Sequence, residues 1–194
     1  MPRSSRAQTA RHHEELIAAA SQLIRERGVG SVSLPEITGK IGLTRGAFYK
    51  HFESREALVA TAIEACYREQ LDNFARLAAE HPDDPEAQRA AMLDWYLSPE
   101  HRDDPGSGCP TALAQAISQS EPGSPLRTAY IDGLYKILAA NGVDPEHLGT
   151  DPDERQREIL TQLITLAGGL MMARATAGDP LSDIILSTVR ASLG

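Results

Sequence analysis

Several side chains able to contact nucleic acid fall in one short stretch of the sequence. Arg45 stands at the start of a short helical pattern, where an arginine can donate two hydrogen bonds to a guanine edge. Lys50 follows on the same exposed side. Tyr49, His51 and Arg55 carry polar groups that commonly bind backbone phosphate. We therefore predict that Arg45 and Lys50 reach a DNA groove and that the other three hold phosphates. For Tyr49 and His51, packing in the domain core is the alternative.

The segment that must position these groups runs from Ser33 to Glu56 and reads SLPEITGKIGLTRGAFYKHFESRE. Ser33 and Glu36 form a capping box at the start of a first short helix. Gly42 supplies the backbone freedom that a sharp turn requires. Thr44 caps a second short helix of a kind that suits the major groove. This order of elements predicts a helix-turn-helix.

Two further features of the segment favour close contact with DNA. Gly46 lacks a side chain, so the backbone there can approach the duplex. The amides at the helix starts of Ser33, Thr44 and Ser54 are expected to be unsatisfied and to bind phosphate. Ser33, Thr44 and Gly46 therefore join the predicted DNA contacts.

The run TRGAFYKHF at 44–52, followed by SREAL at 54–58, closely resembles the DNA-binding segment of the tetracycline-repressor (TetR) family of bacterial transcriptional regulators. The resemblance is strong over residues 10–62. Beyond them the chain is similar only in length and helical layout. Thr38 and Ile41 stand where members often carry alanine, which implies bulkier packing between the two short helices.

The resemblance implies a dimeric transcriptional regulator, a repressor that a small molecule releases from a palindromic DNA operator. It implies a helix-turn-helix DNA-binding domain over 1–53 and a helical ligand-binding and dimerisation domain over 54–194. It also implies that the Tyr49 hydroxyl and the Arg55 guanidinium bind DNA phosphates. No enzyme is predicted, because the sequence lacks a glycine-rich phosphate loop, a GxSxG elbow and a zinc-spaced cysteine pair. A helical small-molecule-binding or enzymatic protein that does not read DNA is the alternative from another class.

Composition agrees with an all-α fold. The 194 residues are rich in helix formers and contain no convincing alternation of polar and β-branched residues. Residues 1–60 carry nine Lys or Arg against six Asp or Glu, whereas 61–194 carry ten against twenty-one. A basic head on an acidic body would orient the protein on DNA. Chance surface charge is the alternative.

The pattern of apolar residues, caps, prolines and glycines predicts about nine helices. The segment 98–108 is expected to be a loop, because it is polar and contains Pro and Gly. Besides the two short helices of the helix-turn-helix, the predicted helices cover 9–27, 54–80, 86–97, 110–120, 124–140, 152–177 and 180–193.

Aromatic and methionine side chains of the acidic body could line an adaptable apolar pocket. At helical spacing, ordinary core packing is the alternative. The predicted pocket residues, which would hold an unknown small-molecule effector, are Met92, Trp95, Tyr96, Cys109, Tyr130, Tyr135, Met171 and Met172.

The last two long helices are apolar beyond one narrow stripe, so part of their surface is expected to meet a partner. The resemblance implies a four-helix bundle between two copies of this pair. A monomeric core is the alternative. The predicted dimer residues are Ile159, Leu163, Leu166, Leu170, Leu181, Ile185 and Val189.

Cys109 lies in a Gly-Cys-Pro sequence directly before a predicted helix, whose N-terminus would favour the thiolate. The sequence is also similar to a branch of the family that senses electrophiles or oxidants through such a cysteine. A thiol-based sensor acting through Cys109 is therefore an alternative to a reversibly bound ligand. A buried structural thiol is the other reading, as it is for Cys66.

The cluster His12, His13, Glu14 and Glu15 could suggest a metal site. Neighbouring helical residues point about 100 degrees apart, so one ion could not be held by all four. We predict a solvated helix face, with no metal and no cofactor. The most apolar window, 159–173, is interrupted by glycines and polar residues, and the chain start is polar and basic. We expect no membrane partner. We expect a cytoplasmic location.

Overall fold

The computed structural model describes residues 6–149 and 151–194, which contain ten α-helices and no strand. None of these helices combines the length and apolar character that crossing a membrane requires. The helices are α1 (Arg6–Arg27), α2 (Leu34–Lys40), α3 (Arg45–Phe48), α4 (Arg55–Ala79), α5 (Pro85–Tyr96), α6 (Pro99–Asp103), α7 (Ala114–Ser118), α8 (Pro125–Ala140), α9 (Glu154–Ala175) and α10 (Pro180–Leu193).

Short polar side chains set most of the helix starts. Each accepts a hydrogen bond from an amide of the first turn, which satisfies a donor that the helix leaves free. Proline follows several of these caps, where its missing N–H costs nothing. The capping residues are Ser33, Thr44, Ser54, Asp84, Ser98, Ser124, Asp153 and Asp179.

The predicted caps of the helix-turn-helix are confirmed. Ser33 accepts from the Glu36 amide while the Glu36 carboxylate accepts from the Ser33 amide, the reciprocal pair of a capping box. Gly42 turns the chain at φ +69°, which suits glycine. Thr38, bulkier than alanine, donates its hydroxyl hydrogen to the Leu34 carbonyl at 3.1 Å. Its polar atom is thereby satisfied inside the packing of α1 to α3.

Two regions differ from the sequence-based expectation. The predicted loop at 98–108 contains α6 and a 3₁₀ turn at Pro105–Ser107. Ser98 caps α6 and Pro99 starts it, so the signal used elsewhere was also present here. The predicted helix at 110–120 is a 3₁₀ turn at Pro110–Leu113 followed by the five residues of α7.

One continuous core joins α1–α4 to α8. Leu16 of α1, Ile37 of α2 and Phe48 of α3 are fully buried in it. The same cluster continues along α4 through Tyr67 to Tyr130 of α8. The expected boundary at residue 53 therefore marks the start of α4, and packing continues across it. A second cluster lies between α5, α9 and α10.

Candidate DNA-binding surface and internal cavity

The short helix α3 packs one side against the core and exposes the other side to solvent. Phe48 is completely buried in the core below it. Thr44 caps α3 by accepting from the Ala47 amide at 3.2 Å. After Phe48 the chain turns, with the His51 amide bonded to the Phe48 carbonyl at 2.8 Å. This anchoring fixes the direction of the exposed residues around it.

The structure brings four of the predicted DNA contacts onto this exposed side. Arg45, Gly46, Tyr49 and Lys50 are all exposed, and Tyr49 is among the most exposed large side chains of the described residues. An aromatic hydroxyl and two cations on one surface can pair with phosphates and base edges.

His51 lies against α1 rather than in solvent. Its ring centroid is 6.1 Å from that of His12 and 6.2 Å from that of His13. His13 stacks on Phe52 with centroids 4.5 Å apart. Burial, then the neighbouring histidines and Lys50, lower the pKa of His51, so it is mainly neutral near pH 7. It would hold a phosphate by hydrogen bonding rather than by charge.

The expectation of a solvated face at residues 12–15 is wrong for the two histidines. His12 and His13 are half-buried, because the fold places His51 and Phe52 beside them. Within 6–149 and 151–194, no three His, Cys, Asp or Glu side chains are arranged to hold a metal ion.

Arg55 and Ser33 make internal contacts that the sequence did not indicate. The Arg55 guanidinium donates to the carbonyl of Val32 at 2.9 Å and to that of Val29. It therefore ties the start of α4 to the chain before α2. The Ser33 amide, expected to be free for phosphate, donates to the Glu36 carboxylate at 2.7 Å. That expectation is wrong, because the capping box already uses this amide.

An internal cavity of about 40 Å³ lies between α4, α5, α8, α9 and the turn after Cys109. Its wall contains no Asp, Glu, Lys, Arg or His side chain. Its lining residues are Tyr67, Gln70, Phe74, Met92, Tyr96, Cys109, Pro110, Thr111, Ile137, Leu138, Asn141, Ile159, Gln162, Leu163 and Leu166.

Three predicted pocket residues, Met92, Tyr96 and Cys109, line this cavity. The other five lie outside its lining, and their part in ligand binding stays a prediction. Trp95 is half-buried and Tyr130 buried, while Tyr135, Met171 and Met172 are exposed. A helix that is apolar on several sides does not reveal in its sequence which side faces a cavity.

Tyr67 is the main lining residue that sequence analysis missed. In the sequence analysis it was assigned to no site. Gly133 of α8 makes room for its ring, since a Cβ there would lie 2.0 Å from Tyr67 Cδ2. The sequence carries no local signal of this contact, because Gly133 is 66 residues away in the chain.

Polar groups gather at the end of the cavity near Cys109. The Cys109 sulfur lies 2.7 Å from the Thr111 hydroxyl, and the Tyr130 hydroxyl donates to the Thr111 carbonyl at 3.1 Å. The hydroxyls of Tyr67 and Tyr96 are buried; the first interacts with Tyr130 and the second with Cys109, although neither pair meets strict hydrogen-bond geometry. Burial raises the pKa of Tyr130 to about 12 and those of Tyr67 and Tyr96 further, so all three remain protonated.

Cys109 is buried, and the element after it differs from the expected α-helix. It precedes a 3₁₀ turn whose hydrogen bonds are short-range, so the aligned dipole of a long helix is missing there. Gly108 is a glycine because Arg174 passes close by, and a Cβ would lie 2.1 Å from the Arg174 Nη2. Arg174 donates to the carbonyls of His101 and Arg102. These contacts explain the glycine at position 108 by packing, and a sensing role for Cys109 stays a prediction.

Most of the predicted dimer residues also pack within the protomer. Ile159, Leu163 and Leu166 line the cavity, and Leu170 is buried. Ile185 and Val189 are half-buried against the second core cluster, whereas Leu181 is exposed. Their part in a dimer interface stays a prediction.

A different strip of α9 and α10 is both apolar and exposed. Ile164 is 68% exposed and Ile184 57%. An apolar patch of this kind on a folded chain is typical of an interaction surface. We call this strip the outer face; it consists of Ile164, Met171, Met172, Leu181 and Ile184.

Comparison with known proteins identifies a family that shares part of this sequence. Residues 16–62 match the family described as "Bacterial regulatory proteins, tetR family". The Transposon Tn10 TetC protein of Escherichia coli is 41% identical over 59 residues, which are 30% of this chain and 28% of TetC. The HTH-type transcriptional repressor BepR of Brucella suis is 43% identical over 53 residues, 27% of this chain and 25% of BepR. The chain thus matches less than a third of the length of either relative.

A longer match and a solved structure extend the similarity. The uncharacterized HTH-type transcriptional regulator TtgW of Pseudomonas putida is 33% identical over 103 residues, which are 53% of this chain and 75% of TtgW. The crystal structure of a TetR-family transcriptional regulator from Agrobacterium tumefaciens covers 95% of this chain and 98% of that chain. Its TM-score is 0.73 at 18% identity, which shows a shared fold.

Proposed function

Because this chain belongs to the tetR family of bacterial regulatory proteins, we propose that it is a sequence-specific DNA-binding transcriptional regulator. It acts as a repressor, binds a palindromic operator as a dimer, and is released by a small molecule. The observation that carries this proposal is the anchored helix α3, which exposes Arg45, Tyr49 and Lys50 above the buried Phe48.

The role of each DNA contact follows from its surroundings. Arg45 reads a base edge from the first turn of α3, Lys50 and Tyr49 hold phosphates or the groove edge, and Gly46 permits close approach. His51 adds a neutral hydrogen bond. Arg55 contributes by holding the segment before α2 against α4, and its contact with phosphate stays a prediction.

Dimerisation through the outer face would place two α3 helices on one side of the DNA. A two-fold axis then requires two half-sites in inverted order, spaced by one or more helical turns. The similarity to a named repressor supports repression. A protein that acts on chromosomal DNA belongs in the cytoplasm, and no catalytic step is part of this function.

The proposal is tested by selecting duplexes from a random-sequence pool and measuring their binding by fluorescence anisotropy at two salt concentrations. We expect tight, salt-sensitive binding to a palindromic sequence and much weaker binding to a scrambled duplex. Arg45→Ala should weaken binding to the selected sequence by about tenfold to a hundredfold.

The matched control is Arg76→Ala, which removes an exposed arginine that pairs with Glu80 on α4. It should leave operator affinity within about twofold of the wild type, because charge far from DNA is largely screened. Equal binding to selected and scrambled DNA, or an unchanged affinity in Arg45→Ala, would contradict the proposed function.

A further inference from the structure

Three histidine rings lie together at the edge of the candidate DNA-binding surface. The ring centroid of His51 is 6.1 Å from that of His12 and 6.2 Å from that of His13, both on α1. His51 directly follows the exposed Tyr49 and Lys50 in the chain, and all three histidines are half-buried. Part of each histidine is therefore open to solvent beside the side chains expected to meet phosphate. We call His12, His13 and His51 the histidine cluster.

Packing holds the histidine cluster in place. The His13 ring stacks on that of Phe52, with centroids 4.5 Å apart and an angle of 9° between the ring planes. Phe52 is buried and stacks in turn on Phe48 of α3, with centroids 6.0 Å apart. The His51 amide donates to the Phe48 carbonyl at 2.8 Å. The cluster is therefore tied on both sides to the buried aromatic residues that hold α3.

The surroundings of His51 oppose its protonation in the free chain. Burial lowers the pKa of His51 most strongly, and the charges of His13, His12 and Lys50 lower it further. These are the charged groups that act on it from the described part of the chain, and none of them is a carboxylate. A protonated His51 thus has neighbours of like charge and lacks a counter-ion among the described residues. It stays neutral to a lower pH than an ordinary histidine does.

A phosphate of the DNA would supply the missing counter-ion. An opposite charge within about 4 to 6 Å favours the charged form of a titratable group, and every phosphate of a duplex is negative. A His51 ring nitrogen that bound phosphate would therefore take up a proton more readily in the complex than in the free chain. Binding free energies are reciprocal, so DNA that favours the proton is itself favoured by the proton.

We propose that the histidine cluster couples DNA binding to pH: His51 takes up a proton when a phosphate reaches it, so the chain binds its operator more tightly in mildly acidic solution. The proton comes from the solvent and returns to it when the DNA is released. His12 and His13 set the pH range, because their charge opposes protonation of His51. The inference rests on the proposed function, since it concerns the same surface, and it adds a condition that strengthens operator binding.

Fluorescence anisotropy at about pH 7.5 and about pH 5.8, on either side of the ordinary histidine pKa, tests this coupling. The full chain is titrated with the selected operator and with a scrambled duplex of the same length, at constant ionic strength. Circular dichroism at both values checks that the chain stays folded. Wild-type affinity for the operator should rise by about threefold to tenfold in acid, because a pKa raised by about one unit in the complex allows at most about a tenfold gain.

The variants are compared by this gain, the ratio of the two affinities, so that a uniform loss of binding cancels. His51→Gln keeps a hydrogen-bond donor but cannot titrate, and its gain should fall to about twofold or less. His147→Gln is the matched control. His147 is exposed between α8 and α9 and lies outside the DNA-binding surface, so this variant should keep the wild-type gain.

Nuclear magnetic resonance of the imidazole C–H groups gives a direct readout of the proton. The pKa of His51 should be higher in the operator complex than in the free chain. His13→Gln should raise the pKa of His51 in the free chain, because it removes the neighbouring charge that acts on His51 most strongly.

An equal gain in the wild type and His51→Gln, a wild-type affinity that falls in acid, or the same His51 pKa with and without DNA would each overturn the proposal. The scrambled duplex separates the coupling from the proposed function, because phosphate is common to all DNA. An acid gain on both duplexes without preference for the operator supports proton uptake and overturns the regulatory function. Selective binding whose gain survives in His51→Gln overturns the coupling alone, and no binding to either duplex overturns both.

Discussion

At the scale of single residues, the same polar group can serve DNA or the fold, and its neighbours decide which. Arg55 was predicted from its type to hold phosphate, yet its guanidinium donates to the Val29 and Val32 carbonyls. The Ser33 amide is used by Glu36. Arg45 and Lys50 are exposed, and within the described residues neither side chain donates to a carbonyl or a carboxylate. Arg45 and Lys50 are therefore stronger candidates for DNA contact than Arg55 and Ser33.

His101 shows the same dependence on surroundings inside the body. Its Nδ1 lies 2.7 Å from the Tyr96 carbonyl, which can only accept, so the Nδ1 carries the hydrogen. The Nε2 is buried without a hydrogen-bond partner among the described residues, and the ring stacks on Trp95 with centroids 4.6 Å apart. Burial, with the cations of Arg174 and Arg25 nearby, lowers the pKa of His101 despite the Tyr96 carbonyl and Asp104, which act to raise it.

This lowered pKa predicts a loss of stability in acid. The folded chain favours neutral His101, so its contribution is present above the pKa of the unfolded histidine and is lost as pH falls below it. The free energy of unfolding of the wild type should therefore decrease from about pH 7.5 to pH 5.5, as measured by urea denaturation. His101→Phe keeps the stacked ring and should show a shallower decrease.

The control for this measurement is His81→Phe, at a half-buried position after α4. It should follow the wild-type pH dependence. A His101→Phe curve parallel to the wild-type curve would contradict the assigned role of this histidine.

At the scale of elements, the Arg25 side chain adds a polar link between α1 and the chain beside the cavity wall. Arg25 in the last turn of α1 pairs with Glu69 of α4 at 2.8 Å and donates to the Gly108 carbonyl at 3.4 Å. Gly108 precedes Cys109, which lines the cavity. A change in the wall on ligand binding would therefore be felt directly by α1, besides any movement of α4.

We expect Arg25→Met to weaken this connection. The Arg25 side chain is 6% exposed while Glu69 is 44% exposed, so the carboxylate left behind can be hydrated and the loss of stability should be modest, about 1 to 2 kcal/mol. The change in operator affinity caused by a compound that releases the wild type from DNA should become smaller, because the coupling free energy between the two sites is reduced. Anisotropy titrations with and without that compound measure this change, and urea denaturation measures the loss of stability.

Arg27→Met is the matched control, because Arg27 lies one half-turn away on α1 and pairs with Glu36 on the exposed surface. It should leave the ligand effect on operator affinity unchanged. A full ligand effect in Arg25→Met would show that coupling runs through other contacts.

At the scale of the whole molecule, the outer face gathers five of the large apolar side chains that a single chain leaves exposed. It is carried by α9 and α10, the helices that also close the cavity and the second core cluster. The two sides of this helix pair thus serve different purposes. The inner side stabilises the protomer, and the outer side is available for a second copy.

This division predicts which substitutions affect assembly. Ile184→Glu places a charge in the outer face and should convert the dimer to a monomer in sedimentation velocity, because a buried unpaired carboxylate opposes association. Operator affinity should fall with it, since a monomer reads only one half-site. Secondary structure should be unchanged, because Ile184 is 57% exposed in the single chain.

Ile131→Glu supplies the comparison. Ile131 is 42% exposed on α8, away from the outer face. This variant should remain dimeric and bind the operator as the wild type does. A dimeric Ile184→Glu protein would place the interface elsewhere.

The amino-acid sequence by itself determined the local features of this protein. Capping boxes, proline at helix starts and the glycine turn act between residues a few positions apart, so Ser33, Gly42, Thr44 and Ser54 were assigned correctly. The all-α fold and the family followed from the same short-range patterns.

Only the tertiary structure decided which surfaces face each other. Leu163 faces the cavity and Ile184 faces outward, although both were simply apolar residues on apolar helices. Tyr67 reaches the cavity because Gly133, distant in sequence, leaves room for its ring. Such contacts depend on how helices are placed in space, and the helical period of one segment carries no information about its neighbours.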